Sequence, residues 1–131
     1  MTQKNSNSGP GGCPFKPKKQ ALHKRPLLGR EQTAALGALF KVLSNDTRLR
    51  LLHSLTREEE MCVSDLSDAV EMKPQAISNQ LKQLEARGIV GSRREGLQVF
   101  YRILDPCVIS VLDYALCSAE CLTAKNSHGR R

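Results

Sequence analysis

Tryptophan is absent from this chain of 131 residues, and aromatic residues make up only 4% of it. A core must therefore be assembled from Leu, Val, Ile and Ala. No run of eighteen apolar residues occurs, so no segment reads as a membrane span. The N-terminus lacks an apolar stretch ahead of a cleavage site, which argues against a secretory signal. The expectation is a cytoplasmic protein with no membrane partner. A glycine-rich phosphate loop, a Ser/His/Asp arrangement and a carboxylate pair in an apolar setting are all missing from the pattern, and this speaks against an enzyme. The five cysteines are an odd number in a cytosolic setting. They read as thiols with a task or as buried hydrophobes, not as a disulfide framework. The length suits one domain with a real core.

Acidic residues are missing from the first thirty positions, which hold Lys4, Lys16, Lys18, Lys19, Lys24, Arg25 and Arg30. The net charge of +7 therefore resides there, and the rest of the chain is neutral. The opening MTQKNSNSGPGGCPFKPKKQALHKRP is rich in Gly, Pro, Ser and Lys. Residues 1–30 read as a disordered basic tail, able to follow a phosphate backbone or simply solvated. Residues 31–123 read as the folded domain, and 124–131 as a flexible C-terminal tail.

Within the domain, EQTAALGALFKVL puts Ala35, Leu36, Leu39, Phe40 and Leu43 on one inward helical face. The cap-type residues Ser44, Asn45 and Asp46 precede a second apolar helix through Leu49, Leu52 and Leu55. TREEEM reads as a polar loop, and VSDLSDAV as a short helix capped by Ser64. EMKPQAISNQLKQLEARG opens with Pro74, suited to the first helical position, and closes at Gly88. Ile77, Leu81 and Leu84 line its inner face. IVGSRREGLQVFYRIL reads as two strands about a Glu95-Gly96 turn, alternating through Val99, Tyr101 and Ile103. A last helix covers DPCVISVLDYALCSAECL. The predicted class is mainly α with one β-hairpin, in the order α-α-α-α-β-β-α.

A short helix, the tight VEMK turn and a second helix with a polar outer face suggest a helix-turn-helix. With Ile77, Leu81 and Leu84 inward, the opposite face carries Gln75, Asn79 and Lys82, with Ser78 on its flank. The amides and the hydroxyl suit base edges, and the lysine suits phosphate. Arg93 and Arg94 beside the hairpin turn suit the DNA backbone or minor groove. A merely solvated polar face is the alternative. The basic hairpin that follows directly favours DNA.

The last helix holds Cys107, Cys117 and Cys121. At 1.5 Å rise per residue, the first two lie about 15 Å apart, whereas the second and third are neighbours on one face. One helix cannot gather all three sulfurs, but two antiparallel copies can. The same helix is apolar over Val108, Ile109, Val111, Leu112, Ala115, Leu116, Ala119 and Leu122, more than a small core needs, which points to a partner. Burying these side chains at ~1.5 kcal/mol each contributes on the order of 10 kcal/mol before association costs.

Four blocks in order, LSNDTRLRLLHSL, CVSDLSDAV, AISNQLKQLEARGIV and RREGLQVFYRI, resemble the ArsR/SmtB family of small winged-helix repressors, over about residues 32 to 122. The resemblance implies a winged helix-turn-helix homodimer joined through its first and last helices. It implies binding to a pseudo-palindromic operator in double-stranded DNA, and release when a metal or metalloid binds. In zinc-sensing members the last helix reads Asp-x-His near its start and His-x-x-Glu near its end. Here the Asp is kept as Asp105, while Cys107, Ser118 and Cys121 occupy the other places and Cys117 adjoins Ser118. Antiparallel pairing would bring Cys107 of one chain to Cys117 and Cys121 of the other. Three thiolates suit As(III) or Sb(III), and a fourth donor from Asp105 suits Cd, Pb or Zn.

In the arsenic- and cadmium-sensing branches, the helix before the recognition helix begins Cys-Val-Cys-Asp. This chain has Cys62-Val63-Ser64-Asp65, so the second thiol is absent. Cys13, in the N-terminal arm, could join Cys62 in a poorer site. Cysteines also commonly just fill space. His23, His53 and His128 show no metal spacing. The leading expectation is a repressor induced by a thiophilic ion, arsenite first. A thiol-redox repressor using the same cysteines, or a DNA binder with no ligand, are the alternatives.

Overall fold

Leucine spacing and capping chemistry produce five α-helices and three strands within residues 20–128, the part of the chain that this computed structural model describes. Cys13 lies outside the described residues, as do Lys4, Lys16, Lys18 and Lys19. After a 3-10 turn at Leu22–Lys24, the helices are α1 (Arg30–Leu43), α2 (Asp46–Arg57), α3 (Val63–Val70), α4 (Pro74–Ala86) and α5 (Pro106–His128). The strands are β1 (Met61–Cys62), β2 (Val90–Glu95) and β3 (Gln98–Ile103).

The helix ends follow local chemistry. Asn45, in extended conformation, caps α2 by accepting the Arg48 N–H at 3.0 Å. Pro74 takes the first turn of α4, where its missing N–H costs nothing. The far end of α4 closes as a Schellman motif: Gly88 N–H donates to Glu85 O at 2.9 Å and Ile89 N–H to Leu84 O at 3.1 Å. Gly88 has a φ of 76°, which a side chain would resist. The wing turns through Gly96-Leu97, with Gly96 at φ 64°. That is the place a type II′ hairpin reserves for glycine.

The core gathers Leu51, Leu52 and Leu55 of α2, Leu66 and Val70 of α3, Ile77, Leu81 and Leu84 of α4, then Val90, Tyr101 and Val108. The stripe expected on α4 is therefore fully inward. The expected α1 face is not: Leu36 and Phe40 are 43% and 52% exposed, and Val42 and Leu43 are the buried residues of that helix. Only the end of α1 packs on the body of the chain. Leu49 of α2 is likewise exposed. On α5, Val108 is buried and Ile109, Val111 and Leu112 are half-buried, but every residue from Asp113 to Ser127 is exposed. The apolar faces that periodicity assigns to a core thus extend beyond it.

Four other expectations are corrected. Met61 is not loop: with Cys62 it pairs with Tyr101 and Phe100 as an edge strand, so the sheet has the order β1-β3-β2. The free edge of β3 offers unpaired amides that a short strand can satisfy. Ser64 does not cap α3. That helix starts at Val63, because Cys62 leaves β1 already extended and takes the N-cap position. Residues 124–128 are helical, since α5 runs on to His128. Finally, Pro106–Ser127 is long and apolar enough to cross a membrane by length and composition, with mean hydropathy 1.5, although no unbroken apolar run marks it. Asp113 interrupts that stretch, and an aspartate near mid-membrane costs ~2.5–3.5 kcal/mol.

Candidate nucleic-acid interface and metal centre

Packing Ile77, Leu81 and Leu84 inward leaves Gln75, Asn79 and Lys82 exposed on α4, with Ser78 half-buried beside them. Gln75 Nε2–H donates to Asn79 Oδ1 at 3.4 Å, so the two amides already share an orientation. The turn between α3 and α4 is tied from both sides. Met72 N–H donates to Ser67 O at 3.1 Å, and the Ser67 hydroxyl donates to Met72 O.

On the flank of α4 lies a contact the sequence reading did not find. Arg48 Nε–H donates to Gln80 Oε1 at 2.7 Å, Nη1–H to Val42 O at 2.9 Å, and Nη2–H to Gln83 Oε1. The available signal was an arginine inside an apolar helix, TRLRLL, facing a helix with two glutamines three residues apart.

Alternation along β2 sends Arg93 and Arg94 to opposite faces of the wing. Arg93 is engaged within the protein. Nε and Nη2 donate to the two Glu60 carboxylate oxygens at 2.8 Å each, Nη1 donates to Glu95 at 2.7 Å, and the guanidinium stands 4.7 Å from the Phe100 ring centre. The hydrogen bond from Arg93 holds the Glu60 carboxyl below its usual range, and the two carboxylates raise Arg93 in turn. Arg94 is exposed. Ser92 Oγ–H donates to Glu85 at 2.7 Å and ties the wing to the end of α4. Burial in the sheet, helped by Glu85, pushes the Tyr101 phenol up.

The cysteines divide into two groups. Cys62 is buried where β1 meets α3, with Gln98 Nε2 3.9 Å from its sulfur. Cys107, Cys117 and Cys121 are all exposed on α5. Asp105 caps that helix: its Oδ1 accepts the Cys107 N–H at 2.9 Å. Among the described residues, no group of three or more His, Cys, Asp or Glu side chains converges as a metal site within one chain.

A helix-turn-helix followed by a β wing defines a winged-helix DNA-binding regulator, and apolar side chains are left open on its first and last helices. The model of the arsR family of bacterial regulatory proteins matches residues 45–92. The crystal structure of AntR, an antimony-specific transcriptional repressor, is 47% identical in sequence and superposes with a TM-score of 0.73, covering 86% of this chain and 98% of its own. The CadC homologue of Staphylococcus aureus, a cadmium resistance transcriptional regulatory protein, is 32% identical over 88 residues, 67% of this chain and 73% of the relative. A homodimeric winged helix-turn-helix domain of Mycobacterium bovis, Mb0332, is 26% identical with a TM-score of 0.59, over 82% of this chain and 99% of that one. This chain belongs to the ArsR family, also called ArsR/SmtB, of winged-helix transcriptional regulators.

Proposed function

We propose that the homodimer represses transcription by holding operator DNA with α4 and the wing, and that it leaves the operator when a trivalent metalloid, arsenite or antimonite, binds thiolates of α5 across the dimer. Gln75, Ser78 and Asn79 read base edges, while Lys82 and Arg94 neutralise phosphate. Arg93 joins them only through the backbone of the wing it steadies. Cys107 of one subunit, with Cys117 and Cys121 of the partner subunit, forms a three-sulfur pyramid suited to As(III) or Sb(III).

The observation that carries this reading is the state of α5. Its second half bears two of the three exposed thiols, and the residues from Asp113 to Ser127 are all open to solvent. The likeness to a repressor described as antimony-specific supports the trivalent ions. Asp105 serves first as the cap that fixes Cys107 at the start of α5. It becomes a fourth donor for Cd, Pb or Zn only by turning its carboxylate towards the ion. Cys62, buried beside Gln98, acts as a packing thiol, and a site shared with Cys13 takes no part.

The test is operator binding by the reduced dimer, titrated with arsenite, antimonite, cadmium and zinc, with Cys107→Ser in parallel. Release by a trivalent metalloid that the variant loses is the expected result. Release by diamide alone would favour a thiol-redox repressor using the same exposed cysteines. No release by any reagent would leave a DNA binder without a ligand.

A further inference from the structure

We propose that Arg48 is a positioning residue for DNA recognition: its guanidinium sets the roll of α4 against the end of the dimerisation helix α1. The proposal rests on α4 being the helix that reads DNA. Three separate N–H groups of one planar fork reach three acceptors on two helices, namely Gln80 and Gln83 of α4 and the Val42 carbonyl of α1. The fork is itself anchored, because the Arg48 backbone N–H is held by the Asn45 cap.

The place of grip matters. At 100° per residue, Gln80 and Gln83 lie on the flank of α4 between its buried stripe (Ile77, Leu81, Leu84) and its exposed stripe (Gln75, Asn79, Lys82). Burial of the leucines holds α4 down but is non-directional, so it tolerates small rotations about the helix axis. Hydrogen bonds to that flank do not. A few degrees of roll would move Gln75 and Asn79 off the base edges they must meet.

The other end of the fork sits on a carbonyl of the last turn of α1, one of the four that a helix leaves without an internal partner. The same helix carries the exposed apolar side chains Leu36 and Phe40. One side chain thus joins the dimer-forming helix to the DNA-reading helix. Lysine keeps the charge but cannot place three donors in this planar arrangement.

The experiment compares Arg48→Lys, the pair Gln80→Ala with Gln83→Ala, and all three changes together. Each is measured for binding to operator and to scrambled DNA across a salt series, with sedimentation and thermal melting of the same samples. Arg48→Lys should weaken operator binding about tenfold and leave scrambled-DNA binding and the salt slope unchanged. The glutamine pair should reproduce that loss, and the triple variant should add nothing to it, as members of one unit do. Equal losses on both DNAs with a smaller salt slope would mean a direct phosphate contact, and fully additive losses would mean separate roles. Either outcome, or unchanged operator affinity, overturns the proposal. The glutamine pair keeps the test decisive if Arg48→Lys fails to fold, since it leaves the arginine in place. Gln75→Ala with Asn79→Ala is the control: unchanged operator affinity there would refute α4 as the reading helix, a different failure from that of Arg48.

Discussion

Arg93 grips Glu60 with two parallel hydrogen bonds of 2.8 Å, across a separation of 33 residues in the chain. The pair fastens the wing to the segment that leads into β1. Arg93 adds a contact to Glu95 and stacks near Phe100, so the guanidinium joins two carboxylates and a ring.

This pair predicts a pH dependence for the stability that the wing contributes. Arg93 holds Glu60 below its ordinary value of 4.5. A depressed carboxyl contributes stability that is complete above the unfolded pKa and is lost as pH falls through the folded one. Glu60→Gln should therefore melt slightly below wild type at neutral pH, and the two should converge as the solution is acidified below about pH 4.5. The effect at neutral pH is small, because exposed ion pairs are screened by solvent. A melting difference that stays constant from pH 7 into that acid range would show that the carboxylate charge is not what steadies the wing.

Arg94 and Lys82 are exposed on the wing and on α4, and each is assigned a phosphate. Arg94→Ala and Lys82→Ala should each weaken binding on all sequences and reduce the slope of log affinity against log salt by about 1. Arg93→Ala should leave that slope alone, because its charge is already matched within the protein. A full unit lost in Arg93→Ala, with none lost in Arg94→Ala, would reverse the assignment.

The order of elements and the inward stripe of α4 were legible in the sequence because period and capping residues agreed there: Asn45, Pro74 and Gly88 each stand where a helix starts or stops. The wing was legible from its Gly96 turn. What escaped was set by pairing between distant segments. Met61 and Cys62 become a strand only because β3 offers an open edge, and Arg48 finds its glutamines only when α2 crosses α4. The inward face predicted for α1 held at Leu39 and Leu43 but not at Leu36 and Phe40, for another reason. Periodicity marks a side as apolar without saying whether the cover comes from the same chain. On α5 the predicted surplus divides: Val108 enters the core and Val111 and Leu112 pack against it, while Ala115, Leu116, Ala119 and Leu122 stand exposed. Of the proposed thiolate site, residue types and spacing were readable, but within one chain the described residues bring no three such side chains together.

At the base of the wing, a Cβ on Gly91 would lie 2.9 to 3.1 Å from the Leu104 side chain, with Cγ itself at 3.0 Å. The Leu104 backbone is held by its N–H donating to Ile89 O at 2.8 Å, so Cγ can give way only by a change of side-chain rotamer. Gly91→Ala should cost about 1–3 kcal/mol of stability, the usual range for overpacking, read from chemical denaturation at constant m-value. Leu104→Ala in the same chain should recover part of the loss. A neutral Gly91→Ala would mean that this packing yields.

The geometry of α5 makes the strongest prediction. In a two-fold dimer the assigned site occurs twice, each copy using Cys107 from one subunit and Cys117 with Cys121 from the other. A homodimer of Cys107→Ser should therefore lose both copies, and so should a homodimer carrying Cys117→Ser and Cys121→Ser. When the two variants are unfolded, mixed and refolded, the heterodimer unites all the substitutions in one copy of the site and leaves the other whole. Metalloid bound per mixed dimer should then reach half the wild-type stoichiometry, and operator release should return in part. Sites built within single chains would behave otherwise: no mixture of the two variants could restore a site, and binding would stay at the level of the separate variants. The readout is stoichiometry by equilibrium dialysis, which needs no knowledge of the operator and so tests the thiolate site apart from its effect on DNA.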